Sequence, residues 1–320
     1  MQKNTPAINE TYKMKTKISL IGLIMIFSIH TFSQNDTSEK RVFVYKTIQR
    51  HEIKANIFLP KTAELHPVVV FFHGGFFWGN RDQGLNNSLK GKLIESGYAV
   101  VSADFRLAPE TKLKGMMEDA NDICVWLRKN GLKEFNIDTD KIAVIGCSAG
   151  GYLALTTGFN PQNVKAIISV SAATGFSVNV PPVGDLSVLN QLGQYGVVSD
   201  SIVSYGDYDS RMALSRFLVQ KGLMFYELFG FDPSAEPEKL AEFSLSNNIK
   251  SDYPPTLLIH AKNDHLVDLQ QVNDFYKFLT DKQIKTELCL VENGHSNELI
   301  NQNPEVIDKM IAFLNMIFEK

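Results

Sequence analysis

"KIAVIGCSAGGYLALTTG", residues 141–158, decides how the rest of the chain is read. Its first half is apolar and β-branched, the composition of a buried strand. Its second half carries helix formers and ends at a glycine. Between them lies Gly146-Cys147-Ser148-Ala149-Gly150, a Gly-x-Ser-x-Gly pattern. Alone the pattern specifies little, and an ordinary glycine-rich turn before a helix is the competing reading. With a strand before it and a helix after it, Ser148 falls on a sharp, exposed turn beside the amides and positive dipole end of the helix. Gly146 and Gly150 remove Cβ atoms where the two backbones crowd. A phosphate-binding loop would need a Gly-Lys-Ser/Thr ending, which is missing. Ser148 is therefore a candidate nucleophile.

Working outward, strand and helix patterns alternate. Residues 41–48 and 51–60 read as an opening pair of strands with polar/apolar alternation. "PVVVFFHGG" reads as a buried central strand, "NNSLKGKLIESG" as a helix stopping at Gly97, and "YAVVSADFR" as another buried strand. "MMEDANDICVWLRKNG" reads as an amphipathic helix closed by Gly131. Later come strands in "VKAIISVSA", "PTLLIHAKND" and "KTELCLVENG", with helices in "LQQVNDFYKFLTDK" and "NPEVIDKMIAFLNMIFEK". Buried strands separated by helices imply a mostly parallel sheet with helices on both faces, and the opening pair implies an antiparallel edge. Residues about 172–250 break the rhythm. They are rich in Gly, Pro, Ser and Asp, then helical and aromatic, and read as a cap or lid insertion. The alternative is an excursion covering a sheet edge.

Ligands of such sheets sit at the carboxyl ends of the strands. Ser148, Asp264 and His295 each fall just after a predicted strand, on that one rim, in the order Ser…Asp…His. Asp264 would orient His295, and His295 would act as the base. Asp268 and Glu292 are rivals for the acid, with Asp268 better placed to cap the next helix. His260 and His265 flank Asp264, but the first is expected inside the strand and the second beyond it. "HGGFFWGN" supplies backbone donors: Gly75 and Phe76, with Ala149 after the nucleophile, and Gly74 as a further one. Phe76, Phe77 and Trp78 would wall an acyl pocket, the alternative being core aromatics. His73 reads as a scaffold for this loop.

The 320 residues are 44% hydrophobic and carry a net charge of −3, with no basic run, which argues against a nucleic-acid partner. The cysteines, Cys124, Cys147 and Cys289, are odd in number and widely spaced, so no metal site is expected. Near the N-terminus, Lys13, Lys15 and Lys17 surround Met14, the apolar run 18–29 follows, and Thr31 and Ser33 stand three and one residues before Gln34. This reads as a signal peptide over 1–33, with Met14 as the true start and cleavage before Gln34. The mature domain would be 34–320, exported to the periplasm or the exterior, with no membrane span after cleavage.

"HGGFFWG", "DFRLAPE…EDA", "GCSAGGYLAL" and "PPTLLIHAKNDHLVD…ENGHS" together resemble the α/β-hydrolase esterases over about residues 50–318. Two groups are similar, the hormone-sensitive-lipase-like esterases and the feruloyl/acetyl-esterase-like (BD-FAE) carboxylesterases. The first usually has a third Gly where Phe76 stands and Asp where Cys147 stands, and these departures favour the second. The resemblance implies the α/β-hydrolase fold and hydrolysis of carboxylic esters through an acyl-enzyme, with no cofactor. Expected substrates are small-acyl esters, including acetyl or feruloyl esters of carbohydrates. The alternatives are a serine peptidase or amidase on the same fold, and a catalytically silent binding protein.

Overall fold

The computed structural model describes residues 38–176, 182–198 and 201–319. The expected signal peptide over 1–33 lies outside the described residues.

Eight strands form one sheet: β1 (Ser38–Ile48), β2 (His51–Pro60), β3 (His66–Phe72), β4 (Ala99–Ala103), β5 (Ile137–Cys147), β6 (Ala166–Val170), β7 (Thr256–Ala261) and β8 (Thr286–Val291). Their spatial order is β1-β2-β4-β3-β5-β6-β7-β8. The first two pairings, β1–β2 and β2–β4, are antiparallel, and every other pairing is parallel. β3, β4, β6, β7 and the second half of β5, from Ile142, are buried along their length and mostly apolar, because they are covered on both sides as parallel strands require. β1 is the contrast. Most of its side chains reach solvent, and its Lys40 and Arg41 blunt an edge that would otherwise invite another strand.

The helices are α1 (Asn87–Glu95), α2 (Leu113–Phe135), α3 (Ala149–Thr157), α4 (Tyr208–Gln220), α5 (Met224–Phe229), α6 (Leu245–Asn248), α7 (Leu269–Asp281), α8 (Asn297–Gln302) and α9 (Glu305–Phe318). Two cores flank the sheet, and the two-residue period of the strands sorts side chains between them. Val68, Val70 and Phe72 of β3 join α2, α3, α7 and residues of the 171–255 insert. Val69 and Phe71 join α1, α8 and α9. No helix among the described residues is long and apolar enough to cross a membrane.

This is the fold expected, with one local correction. Gly131 does not close α2. The helix runs on to Phe135 and is capped by Asn136 in the left-handed conformation, whose side-chain amide donates to the carbonyls of Ala63 and Glu64. Gly131 lies buried against β5, where an added Cβ would touch Ile137 at 3.4 Å. That is an ordinary contact distance, so nothing in the packing demands glycine at this position.

The chain leaves β3 towards α1 on one face and β5 towards α3 on the other. The sheet therefore opens a crevice between the carboxyl ends of these two neighbouring strands, the topological switch point. Between β6 and β7 the insert carries α4, α5, α6 and two 3-10 segments, Leu186–Tyr195 and Pro237–Phe243.

Two glycines separate helix propensity from close packing. At Gly91, inside α1, an added Cβ would meet nothing within 4 Å. Gly91→Ala should therefore raise stability by about 0.5–1 kcal/mol, by removing backbone freedom from the unfolded chain. At Gly150 the same atom would stand 2.2 Å from the Phe72 carbonyl oxygen. Gly150→Ala should cost at least about 3 kcal/mol or prevent folding, as expected of overpacking against fixed backbone. Urea unfolding of both variants beside the parent checks the pair.

Candidate active site

Ser148 sits between β5 and α3 with φ 53° and ψ −121°, in a region that L side chains avoid. The turn is that tight because the strand and helix backbones touch. A Cβ at Gly146 would stand 2.0 Å from the Gly150 carbonyl oxygen, and one at Gly150 would strike the carbonyls of both Phe72 and His73. The start of α3 is thereby pressed on the end of β3. This brings the loop after β3 alongside the serine, with Gly74 so near that its missing Cβ would lie 3.5 Å from Ser148 Cβ.

That loop presents unused amides. Among the described residues, none accepts a hydrogen bond from the amides of Gly74, Gly75 or Phe76. Ala149 opens α3, so its amide belongs to the first turn, which has no partner inside the helix. Gly75 adopts φ 86°, and a Cβ there would fall 2.6 Å from the indole of Trp78, so only glycine fits. The loop is held by its carbonyls. Phe76 O accepts from Ala108 N at 2.9 Å, and Phe77 O accepts from Arg211 Nε at 2.8 Å.

Asp264 and His295 meet after β7 and β8. His295 Nδ1 donates to Asp264 Oδ2 at 2.7 Å, which leaves Nε2 as the basic nitrogen. Asp264 Oδ1 accepts from the amides of Leu266 and Val267 at 2.8 and 3.0 Å. Burial alone would push this carboxyl up, but the bonds from His295 and the two amides outweigh it and hold Asp264 below the ordinary carboxylate range. The rivals lie elsewhere. Asp268 caps α7 by accepting from Gln270 N, and Glu292 pairs with Lys262 at 2.5 Å on the surface. His260 is buried in β7 and donates from Nε2 to the Val267 carbonyl.

Ser148, Ala149, His295 and residues 74–78 all line one cavity of about 950 Å3. Phe76 and Trp78 face it. Phe77, at 1% exposure, is chiefly a core residue that touches its wall. His73 is buried and stacked on Phe105 with ring centroids 4.3 Å apart, and its Nδ1 donates to the Gly74 carbonyl.

Other contributors were not singled out in the sequence. Ser171 follows β6 as Ser148 follows β5, also with positive φ, and its Oγ accepts from the Ser296 amide at 3.0 Å. It fixes the turn that carries His295. The same rim rule that points to Ser148 could have found it. Phe176, Tyr208, Met212, Met224 and Phe225 of the insert close the cavity from the other side. They lie in a stretch with no strand–helix period to register them. Arg211 is the least predictable. It reaches from α4 to Glu110 in two bonds of 2.8 and 2.9 Å, and also bonds the Ala108 carbonyl.

A sheet with a serine turn after β5, an acid after β7 and a histidine after β8 defines an α/β-hydrolase. The BD-FAE family model matches residues 55–279, and the chain belongs to this family. Over 249 residues it is 26% identical to the 3-O-acetylpapaveroxine carboxylesterase CXE2 of Papaver somniferum, spanning 74% of this chain and 75% of that one. It is 27% identical over 289 residues to the non-reducing polyketide synthase atr1 of Stereocaulon alpinum, but spans only 11% of that relative's length. Among solved structures, the Pyrobaculum calidifontis esterase superposes with a TM-score of 0.64 at 24% identity, over 87% of this chain and 85% of that one. This last likeness bears on the fold.

Burial pushes the His73 imidazole down to about 4 from its ordinary 6.5. Between these values the unfolded chain holds the extra proton, so stability falls as pH drops from about 6.5 towards 4, by up to about 3 kcal/mol from this residue. His73→Phe keeps the stacked ring and removes the titration. Its unfolding free energy should vary less between pH 7 and pH 4.5 than the parent's, and an equal slope in the two proteins would refute the assignment.

Proposed function

We propose that this chain is a serine hydrolase of carboxylic esters in which Ser148, His295 and Asp264 act as nucleophile, base and orienting acid. One observation carries the reading: the Asp264–His295 bond of 2.7 Å opens on the same cavity as the strained Ser148 turn. His295 Nε2 takes the Ser148 proton as Oγ attacks the ester carbonyl. The developing oxyanion faces the amides of Gly75, Phe76 and Ala149, with Gly74 beside them. The carbonyl re-forms, the ester C–O bond breaks, and His295 gives its proton to the leaving alkoxide. Water, deprotonated by the same nitrogen, then releases the acid and restores Ser148. Asp264 keeps the Nδ1–H tautomer and stabilises the imidazolium, a role its depressed titration suits.

Membership of the BD-FAE family and the likeness to a carboxylesterase support ester substrates. The substrates we propose are small-acyl esters, acetyl or feruloyl esters of carbohydrates among them, met outside the cytoplasm after export. A p-nitrophenyl ester series from acetate to decanoate tests the reaction. Ser148→Ala should abolish turnover, and Asp264→Asn should lower kcat by about 10³–10⁴-fold, as loss of the correct tautomer does. A folded Ser148→Ala protein that still turns over these esters would overturn the assignment. Export is tested separately: expressed with its leader in a bacterium, the chain should leave the cytoplasm with Gln34 as its N-terminus by mass spectrometry.

A further inference from the structure

His260 lies fully buried near the carboxyl end of β7, between Ile259 and Ala261. The Val267 carbonyl can only accept, so the 3.0 Å contact makes Nε2 the nitrogen that carries the proton. Burial holds this imidazole below its ordinary range and so keeps it neutral at pH 7. Nδ1 is then bare, and it is shielded from solvent with no hydrogen-bond partner. Shielded polar atoms are nearly always paired, and an apolar side chain would fill this strand position without that cost. What the imidazole supplies in return is the bond from Nε2.

That bond falls where the loop carrying Asp264 has little other support. Before Asp264 the chain is tied to the end of β8, with the amides of Lys262 and Asn263 donating to the carbonyls of Val291 and Glu292 at 2.8 and 3.0 Å. After it, Asp268 caps α7. Between these points His265 and Leu266 are exposed, so packing holds the loop on one side only. The amides of Leu266 and Val267 are spent on Asp264 Oδ1. Among the described residues no backbone amide donates to the Val267 carbonyl, which is left to His260. A chain of hydrogen bonds therefore runs from β7 through Val267 to Asp264 Oδ1, and from Asp264 Oδ2 to His295 Nδ1.

We propose that His260 is a positioning residue for Asp264, fixing from within the sheet the loop that presents the carboxylate to His295. It touches no substrate, and the inference rests on the proposed triad. The titratable groups around it are Asp264, His295 and Asp268. Its Nε2 lies 3.9 Å from Asp264 Oδ2. A cation so close would compete with the imidazolium of His295 for the carboxylate, and a neutral imidazole does not.

The test is a mutant cycle read with p-nitrophenyl acetate. His260→Leu, His260→Asn and His260→Gln are each made in the parent and in Asp264→Asn. In the parent, Leu and Asn should lower kcat by about 10- to 100-fold, as a loosened catalytic group does. KM should stay nearly constant, because Asp264 serves the proton transfer and does not bind the ester. Gln places its side-chain nitrogen where Nε2 stands and should recover most of the loss, whereas the nitrogen of Asn falls at the place of Nδ1. Beside Asp264→Asn the same substitutions should each cost less than about 3-fold, since the group they act through is already gone. Parental kcat in the Leu and Asn variants, a loss carried by KM, Gln no better than Asn, or fully additive losses each overturn the role of His260 and leave the triad standing. Parental kcat in Asp264→Asn overturns the acid and His260's role with it, and a folded parent inactive on every p-nitrophenyl ester overturns the triad as a whole. Thermal melts accompany every variant. Should His260→Leu fail to fold, the comparison of Gln with Asn decides alone.

Discussion

The contact between the first turn of α3 and the carboxyl end of β3 is the constraint on which the site depends. The two segments approach there at a distance that tolerates no side chain at Gly150, and β5 crowds the same turn of α3 at Gly146. The approach does three things at once. It bends the backbone at Ser148 into its strained turn, sets Gly74 beside that serine, and brings the first turn of α3 alongside the loop after β3. A sheet order that places β3 next to β5 makes this possible, because the two loops leave to opposite faces and uncover the crevice between them.

Charge fixes what packing leaves loose. Each ionic residue of "DFRLAPE", 104–110, has its own buried or half-buried partner. Asp104 accepts from the Arg81 backbone and guanidinium, Arg106 binds Asp119 through Nε and Nη2, and Glu110 holds Arg211. Asp119 also takes Lys46 from the edge strand at 2.7 Å. The segment after β4 is therefore pinned to β1, to α2 and to the insert, and through the Ala108 amide to the Phe76 carbonyl. Interior ion pairs add little net stability, since desolvation offsets their attraction, but losing one partner is costly. Their effect here is to give an irregular stretch one geometry.

Much of this was legible in the chain itself. Apolar runs closed by glycine or by a polar turn mark β3, β4, β5 and β7 because parallel strands are buried on both faces. The carboxyl-end rule then puts Ser148, Asp264 and His295 on one rim without any coordinates. What failed or stayed silent has physical causes. Gly131 reads as a helix stop because glycine usually is one, yet α2 runs through it and ends at Asn136, whose left-handed conformation and bonds to Ala63 and Glu64 are visible only in three dimensions. The cavity's outer wall comes from 3-10 turns and short helices whose apolar residues follow no single period. Arg211 and Glu110 are 101 residues apart in sequence, and no local pattern links them.

The clasp between Arg211 and Glu110 bears on how such a protein diversifies. Inserts between strands six and seven look like exchangeable modules, free to vary while the sheet endures. In this chain the module owns the cation that neutralises a carboxylate with 1% of its side chain exposed, and that same cation grips the Phe77 carbonyl of the loop beside Ser148. Replacing the insert with a foreign one would strand a buried anion in the body of the protein and release the loop that lies beside Ser148. An insert exchanged at this junction must therefore bring its own arginine if Glu110 and the Phe77 carbonyl are to keep a partner.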